Sequence, residues 1–142
     1  MTVFVLDNSV AMRWLLESEK LADQKYAENV LKSFTGADAL VPNLWHLEVV
    51  NVLLGAEKRL EVNSGEIECF ISQLENLPVH VDPFTSRQAF NRMLALARPY
   101  KLSSYDAAYL ELAVREGLPL ATLDKGMIKA AKKADVPIYL KV

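Results

Sequence analysis

The stretch TVFVLD, residues Thr2 to Asp7, decides the fold that this sequence predicts. Its apolar residues, rich in β-branched and aromatic side chains, are typical of a strand covered on both faces in the middle of a parallel sheet. The run ends in the carboxylate of Asp7, and the apolar spacing of the following NSVAMRWLL predicts a helix. Ligands of open α/β sheets bind beyond the carboxyl ends of the strands. Asp7 is therefore a candidate site residue, with helix capping by Asp7 or Ser9 as the alternative.

Apolar periodicity along the rest of the chain predicts strands and helices in alternation. Further strands are expected at residues 39–42, 79–83, 118–123 and 136–142, with one or two helices between neighbours. This order predicts an α/β fold, a three-layer α/β/α sandwich around a central, mainly parallel sheet of four to five strands.

Several helix boundaries also follow from local signals. Asn43 and Ser64 are predicted to cap helices, and Ser103 and Gly117 to bound another. A helix from residue 85 is expected to end before Pro99, with an inner face that includes Ala89, Phe90, Met93, Leu94 and Ala97.

Composition narrows the class of protein. The chain has 142 residues, 51% hydrophobic and 24% charged, which predicts one globular domain over residues 1–142. No apolar run approaches the roughly 20 residues needed to span a bilayer, and no signal-peptide pattern opens the sequence. We therefore expect a cytoplasmic protein that does not associate with membranes. The single cysteine, Cys69, excludes an intramolecular disulfide and a Cys-based zinc site.

Net charge bears on nucleic-acid binding. Sixteen Lys and Arg residues stand against 18 Asp and Glu residues, which gives a formal net charge of −2. Proteins that bind nucleic acid by general electrostatics are normally basic. Binding here would therefore require a local basic patch or bound metal cations.

Three further acids occupy positions of interest. Glu48 lies in the apolar stretch LWHLEVVNVLL and shares a helical stripe with Asn51, three residues on. A carboxylate in a buried helix is costly unless a positive or hydrogen-bonding group meets it, although the stripe could instead face water. Asp106 follows Ser103 in an S-x-x-D capping pattern. Asp124 ends the strand LATL as Asp7 ends VFVL, and it could equally be a helix cap.

Geometry favours convergence of these acids, because the carboxyl ends of parallel strands lie on one side of a sheet. Asp82 also ends a strand, but the alternation around His80 predicts an exposed edge away from the site. Two unit charges about 4 Å apart repel by roughly 4 kcal/mol at an effective dielectric constant of about 20. A cluster therefore implies raised pKa values or a cation. Oxygen ligands alone favour Mg²⁺ or Mn²⁺, and such ions support phosphodiester hydrolysis.

The blocks VLDNSVAMRWLL, VPNLWHLEVVNVLL and LSSYDAAYLELAVREGLPLATLD resemble the PIN-domain ribonucleases, and more closely the VapC toxins of prokaryotic toxin–antitoxin modules. The resemblance covers nearly the whole chain. It implies that Asp7, Glu48, Asp106 and Asp124 are catalytic and that Ser9 matches the small hydroxyl residue near the first acid. It also implies an Mg²⁺ or Mn²⁺ cofactor, an RNA substrate cut to 5′-phosphate and 3′-hydroxyl ends, a cognate antitoxin and a dimer.

On this hypothesis Asp7, Asp106 and Asp124 ligate the metal, Glu48 completes the site or orients the attacking water, and Ser9 and Asn51 support the ligands. Possible contacts to RNA phosphates are basic side chains near these acids: Arg13, Arg98, Lys101, Lys125 and Lys129. The apolar third helix, with Trp14 and Trp45, offers more hydrophobic surface than one monomer requires, which predicts a homodimer.

Three other functions compete with this hypothesis. A DNA nuclease of the 5′-nuclease group would need DNA-clamping elements for which the chain is short. A phosphorelay receiver or similar signalling domain would need an adjacent acidic pair and a strand-ending lysine, and neither is evident. A purely structural interaction domain would leave Glu48 without a role.

Overall fold

The computed structural model describes residues 2–141 and contains one four-stranded parallel sheet. The strands are β1 (Thr2–Leu6), β2 (Ala37–Pro42), β3 (Val79–Asp82) and β4 (Leu120–Ala121). Their order is β3-β2-β1-β4, and every pairing is parallel. The opening strand therefore lies inside the sheet, as its apolar run predicts, and the predicted three-layer α/β/α fold is confirmed.

Helices fill the crossovers between the strands. They are α1 (Asn8–Ala11), which continues as a 3₁₀ turn (Met12–Trp14), α2 (Leu21–Ser33), α3 (Trp45–Lys58), α4 (Ser64–Glu75), α5 (Thr85–Gln88), a π-helical turn (Ala89–Met93), α6 (Leu94–Tyr100), α7 (Ser104–Glu116) and α8 (Lys125–Lys133). In α7 the residues from Ala107 to Ala113 are all buried, so this helix is the central one of the fold.

The hydrophobic core fixes the end of β1. Phe4, Val5 and Leu6 are fully buried, and the ring of Phe4 stacks on that of Tyr139 with centroids 4.0 Å apart. The N–H of Asp7 donates to the carbonyl of Ala121 at 3.0 Å, which ties the end of β1 to the end of β4. The two strands thus bring their following acids to the same edge of the sheet.

Two predicted helix caps are wrong. The residue before α3 is Leu44, without a side-chain cap, and the N–H of Asn43 instead donates to the hydroxyl of Thr85 at 3.3 Å. Helix α4 is capped by Asn63 rather than Ser64, because Asn63 and Glu66 exchange hydrogen bonds in a capping box. Ser103 and Gly117 bound α7 as predicted.

The helix around residue 90 also differs from its prediction. Phe90 is 97% exposed and Leu94 is 46% exposed, so neither belongs to an inner face. The reason is the π-helical turn, which adds a residue and shifts the phase of the buried side. The helix also runs through Pro99 to Tyr100, because Pro99 lies in the last turn and the chain reverses only at Lys101, with a φ of 55°.

The sheet is shorter at its β4 edge than the sequence predicts. Only Leu120 and Ala121 form β4, and the segment after α8 contributes a single bridge between Ile138 and Leu120. Pro119 and Pro137 flank this region and cannot donate to a ladder, which limits the pairing. The last predicted strand residue, Val142, lies outside the described residues.

Candidate active site

Asp7 lies at the end of β1 and is 5% exposed. Its Oδ2 atom accepts two hydrogen bonds, from the hydroxyl of Ser9 at 2.6 Å and from the hydroxyl of Thr122 at 2.8 Å. Its Oδ1 atom accepts no hydrogen bond from residues 2–141. One carboxylate oxygen is therefore fixed by the protein, and the other is left for a ligand.

The same two hydroxyls connect Asp7 to Asp124. Thr122 accepts the N–H of Asp124 at 3.1 Å, and Ser9 accepts the N–H of Leu123 at 3.0 Å. These bonds hold the loop after β4 against the end of β1. The convergence of the two strand-ending acids that the parallel sheet predicts thus has a specific hydrogen-bonded origin.

Asp124 and Asp106 both lie at helix starts. Asp124 caps α8, because its Oδ2 atom accepts the N–H of Met127 at 2.8 Å. Asp106 lies in the first turn of α7, where Ser103 accepts its N–H at 3.1 Å. The Asp106 carboxylate itself takes no part in that cap. The capping explanation is therefore correct for Asp124 and leaves the Asp106 side chain without a structural role.

Glu48 is held by a residue of α7. Tyr109, fully buried and one turn beyond Asp106, donates its hydroxyl hydrogen to Glu48 Oε1. Glu48 is only partly buried on α3. The partner that a carboxylate on this apolar helix requires is therefore a neutral hydroxyl, and α7 supplies both Asp106 and the group that orients Glu48.

The charges of these acids act on one another. Burial raises the pKa of Asp7 to about 6, against the hydrogen bonds from Ser9 and Thr122, and the charges of Asp106 and Glu48 raise it further. Burial and then the charge of Asp124 raise the pKa of Asp106. Burial raises the pKa of Glu48, the Tyr109 hydrogen bond opposes it, and the charge of Asp106 adds to it. The four acids form one electrostatic cluster.

No cation of residues 2–141 pairs with this cluster. The partly buried Arg115 instead binds Asp82 at 2.8 Å and Glu111 at 2.7 Å, and both of these acids are buried. Asp82 lies on the edge strand, as predicted, but it is buried and ion-paired rather than solvated. The structure thus neutralises a buried acid pair elsewhere and leaves the four site acids unneutralised.

The donor set suits a hard divalent cation. It consists of carboxylate and hydroxyl oxygens, the ligand type that Mg²⁺ and Mn²⁺ take. Within the described residues no three acidic, His or Cys side chains lie close enough together to hold a metal ion as they stand, so the four acids form an open cluster. Mg²⁺ keeps several waters and binds through one or two carboxylates, and an open cluster with one buried, pre-oriented acid fits that preference.

The other predicted site residues divide into two groups. Arg13 lines a polar cleft of about 490 Å³ with Ser9 and Asp124, and Lys101 and Lys129 line a smaller basic pocket. The remainder do not come together: Asn51 is exposed and makes no side-chain hydrogen bond within residues 2–141, and Arg98 and Lys125 are exposed and line neither cavity.

An apolar groove lies away from the carboxylates. It measures about 450 Å³ between α3, α4 and β3, and its lining includes Trp45, Val49, Ile71 and Leu74 but none of the four acids. In residues 2–141 no helix is long and apolar enough to cross a membrane. The candidate chemistry is therefore confined to the polar edge of the sheet.

Sequence reasoning missed two residues of the site. Thr122 stands two residues before Asp124, as Ser9 stands two residues after Asp7, and a hydroxyl at that spacing from a strand-ending acid was an available signal. Tyr109 follows Asp106 by three residues, which places both on one side of α7. Its contact with Glu48 spans 61 positions and depends on the packing of two helices.

Comparison with known proteins agrees with this geometry. No curated protein matches the sequence. Among solved structures, PAE2754 from Pyrobaculum aerophilum is 21% identical with a TM-score of 0.64, over 91% of this chain and 86% of that one. FitAcB from Neisseria gonorrhoeae is 18% identical with a TM-score of 0.59, over 97% of this chain and 96% of that one. At these identities the likeness concerns the fold.

The family is shown by the sequence itself. The PIN domain profile matches residues 4–133, a span that includes all four acids and both hydroxyl residues that hold Asp7. PIN domains are nucleases and generally use divalent metals, in agreement with the oxygen donors at the sheet edge. The chain belongs to the PIN domain family.

Proposed function

We propose that this protein is a metal-dependent endoribonuclease and the toxin component of a toxin–antitoxin module, acting in the cytoplasm as a single PIN domain over residues 1–142. The observation that carries the proposal is the cluster of Asp7, Glu48, Asp106 and Asp124, which lacks any cationic partner within residues 2–141. The PIN profile and the sequence blocks that resemble VapC toxins support it.

Asp7, Asp106 and Asp124 would hold the metal. When bound, Mg²⁺ or Mn²⁺ would neutralise the carboxylates, polarise the scissile phosphodiester and make an attacking water more acidic. Asp7 offers Oδ1, since Oδ2 is engaged by Ser9 and Thr122. This fixed orientation limits the reorganisation that binding requires.

Glu48 is the proposed proton acceptor. Burial raises its pKa above that of an exposed glutamate, which makes the carboxylate a stronger base. The Tyr109 hydroxyl holds one carboxylate oxygen, so the other can orient the attacking water. Water would add to phosphorus, its proton would pass to Glu48, the bond from phosphorus to the 3′ oxygen would break, and the leaving 3′ oxygen would take a proton from solvent. The products would carry 5′-phosphate and 3′-hydroxyl ends.

A homodimer is the proposed assembly. On α3, Leu47, Val50 and Leu54 form an apolar stripe, with Leu47 73% and Leu54 59% exposed. The third helix thus exposes apolar surface in a single chain, although Trp45, which was expected to add to it, is 2% exposed and belongs to the core. A second copy would cover the stripe. Light scattering should give a dimer mass for the wild type and a monomer mass for Leu47→Lys/Leu54→Lys. A monomeric wild type would contradict this assembly.

Cleavage of defined RNA tests the function. Wild-type protein should cut single-stranded RNA in the presence of Mg²⁺ and lose the activity in EDTA. Asp7→Asn should abolish cleavage with the fold intact by circular dichroism, and Glu28→Gln, at an exposed position of α2, should not. Full activity in EDTA, or cleavage of flap DNA in preference to RNA, would refute the proposal. Loss of cleavage on addition of a small protein encoded beside it would identify the antitoxin.

A further inference from the structure

A basic pocket lies between the end of α6 and α8. Its volume is about 200 Å³, and its polar lining consists of Tyr100, Lys101, Lys129 and Lys133. No acidic residue lines it. The polar cleft that Asp124 lines is different, because Glu19 and Asp23 there accompany Arg13 and Lys20. All the charged residues that line this concave pocket are therefore positive.

The lysines of the pocket have no neutralising partner. Within residues 2–141 none of them forms an ion pair. Lys125, Lys129 and Lys133 repeat every four residues and so share one stripe of α8, where like charges repel. Lys125 lies in the first turn of the helix, where the dipole disfavours cations, whereas Lys133 lies in the last turn, where the dipole favours them. The arrangement costs stability locally, and an anionic ligand would offset that cost.

Lys101 adds a second local cost. It occupies the left-handed region with a φ of 55°, where glycine would be less strained. The backbone there is fixed because the Leu102 N–H donates to the Ala97 carbonyl at 3.0 Å. This turn directs the chain from α6 into the Ser103 cap of α7. Lys101 lies five residues before Asp106 in the sequence.

The pocket adjoins the acidic cluster. Gly126 lines it, and a Cβ atom placed on Gly126 would lie 3.3 Å from Oδ2 of Asp124. Asp124 thus borders the basic pocket on one side and lines the polar cleft of Arg13 on the other. A strand that crosses the acidic cluster would reach the pocket within a short distance of the reacting bond.

We propose that the pocket of Lys101, Lys129 and Lys133 is a subsite for a backbone phosphate of single-stranded RNA, adjacent to the phosphate that is cut. The inference rests on the proposed function and adds Lys133 to the residues that contact the substrate. Lysine suits this task because its ammonium is a compact charge that binds phosphate without a fixed geometry. The contacts are independent of base identity, so the subsite would position RNA rather than select a sequence.

The salt dependence of RNA binding tests the proposal. Binding of a fluorescent single-stranded RNA would be measured by anisotropy in EDTA, where no cleavage is expected, at several salt concentrations. Lys129→Gln/Lys133→Gln should weaken binding roughly three- to tenfold. The plot of the logarithm of the association constant against the logarithm of the salt concentration should become shallower, its negative slope smaller in magnitude by about 0.7 to 1. Lys101→Gln should change the affinity and the salt slope in the same direction. Lys129→Arg keeps the positive charge and should leave both at their wild-type values.

A matched control removes the same charge elsewhere. Lys32 and Lys58 lie exposed in the last turns of α2 and α3, as Lys133 does in α8. Lys32→Gln/Lys58→Gln should leave the slope unchanged. Equal slopes for the wild type and the pocket variants, or equal losses in pocket and control variants, would overturn the subsite.

The subsite and the proposed function fail separately. If wild-type protein cuts RNA and the pocket variants bind with the wild-type slope, only the subsite is refuted. If the pocket variants lower the slope but wild-type protein does not cut RNA with Mg²⁺ or Mn²⁺, the subsite stands and the nuclease reaction is refuted. If wild-type protein neither binds nor cuts RNA, both are refuted.

Discussion

The Tyr109 hydroxyl on α7 donates a hydrogen bond to Glu48 on α3, and it is the only side chain of residues 2–141 that does so. Two helices far apart in sequence thereby share control of one carboxylate. Tyr109 also stands one turn after Asp106, so the position of Glu48 is set relative to a second acid of the cluster.

Tyr109→Phe should separate this role from packing. The ring remains in its buried place, but Glu48 loses the donor that fixes it. We expect kcat for RNA cleavage to fall roughly tenfold or more, with KM almost unchanged, because proton transfer depends on the orientation of the base. Tyr105→Phe, at an exposed position of the same helix, is the control. A kcat equal to that of the wild type would remove Tyr109 from the site.

Asp7→Asn should stabilise the metal-free protein. A pKa raised from 3.8 to about 6 means that folding opposes ionisation of Asp7, at a cost of roughly 3 kcal/mol above pH 6. The asparagine amide removes this cost and can still accept the bonds from Ser9 and Thr122. Urea unfolding in EDTA should show a gain of about 1 to 3 kcal/mol at pH 7.5.

The pH dependence of this gain in the free energy of unfolding tests whether the charge of Asp7 is its source. It should be complete above pH 6, shrink as the pH falls through the folded-state pKa, and vanish below about 3.8, where Asp7 is protonated in both states. A gain that is constant with pH would show that the charge of Asp7 is not its source. Saturating Mg²⁺ should favour the wild type instead, by mass action on the folded state.

Arg115→Met should be strongly destabilising. Arg115 pairs with Asp82 and Glu111, both buried, and its removal leaves two buried carboxylates without a cation. We expect a loss of about 3 to 5 kcal/mol in the free energy of unfolding at pH 7. Arg59→Met breaks an exposed pair with Glu61, which water screens, and should cost far less. Similar losses for both variants would contradict this account.

Gly126→Ala should reduce activity without unfolding the protein. Alanine favours helix by about 1 kcal/mol over glycine, but its Cβ would meet Asp124 Oδ2 at 3.3 Å and displace the carboxylate by a few tenths of an ångström. Cleavage should fall several-fold while the melting temperature stays near that of the wild type. Gly36→Ala, where a Cβ meets nothing within 4 Å, should leave cleavage unchanged. Equal activity in both variants would show that the site tolerates this shift.

Local patterns predicted the parts of the fold that depend on periodicity. The buried run of β1, the parallel order and the bounds of α7 follow from apolar spacing and from capping residues such as Ser103 and Gly117. Phe90 was misplaced because a π-helical turn changes the period without a composition signal. The predicted strand over residues 118–123 was too long because Pro119 lies within it and because its second neighbour is the distant segment of Pro137, which forms only one bridge.

The same distinction applies to the site. The four acids are recognisable because each interrupts an apolar pattern or ends a strand. Tyr109 and Thr122 look like ordinary core residues in the sequence, because the carboxylates to which their hydroxyls donate lie 61 and 115 positions away. Asn51 was singled out by helical spacing alone, and it is exposed although it shares a stripe of α3 with Glu48.

The engaged oxygens of two acids have a consequence for ion selectivity. Asp7 Oδ2 already accepts two hydroxyls, and Asp124 Oδ2 already accepts the first-turn N–H of α8. Asp7 can therefore offer a single oxygen, and bidentate coordination by Asp7 would release a bond that holds the end of β1. Ca²⁺ takes six to eight oxygens and readily uses bidentate carboxylates, whereas Mg²⁺ accepts single oxygens and completes an octahedron with water. On the proposed function we therefore expect these hydrogen bonds to favour Mg²⁺ over Ca²⁺.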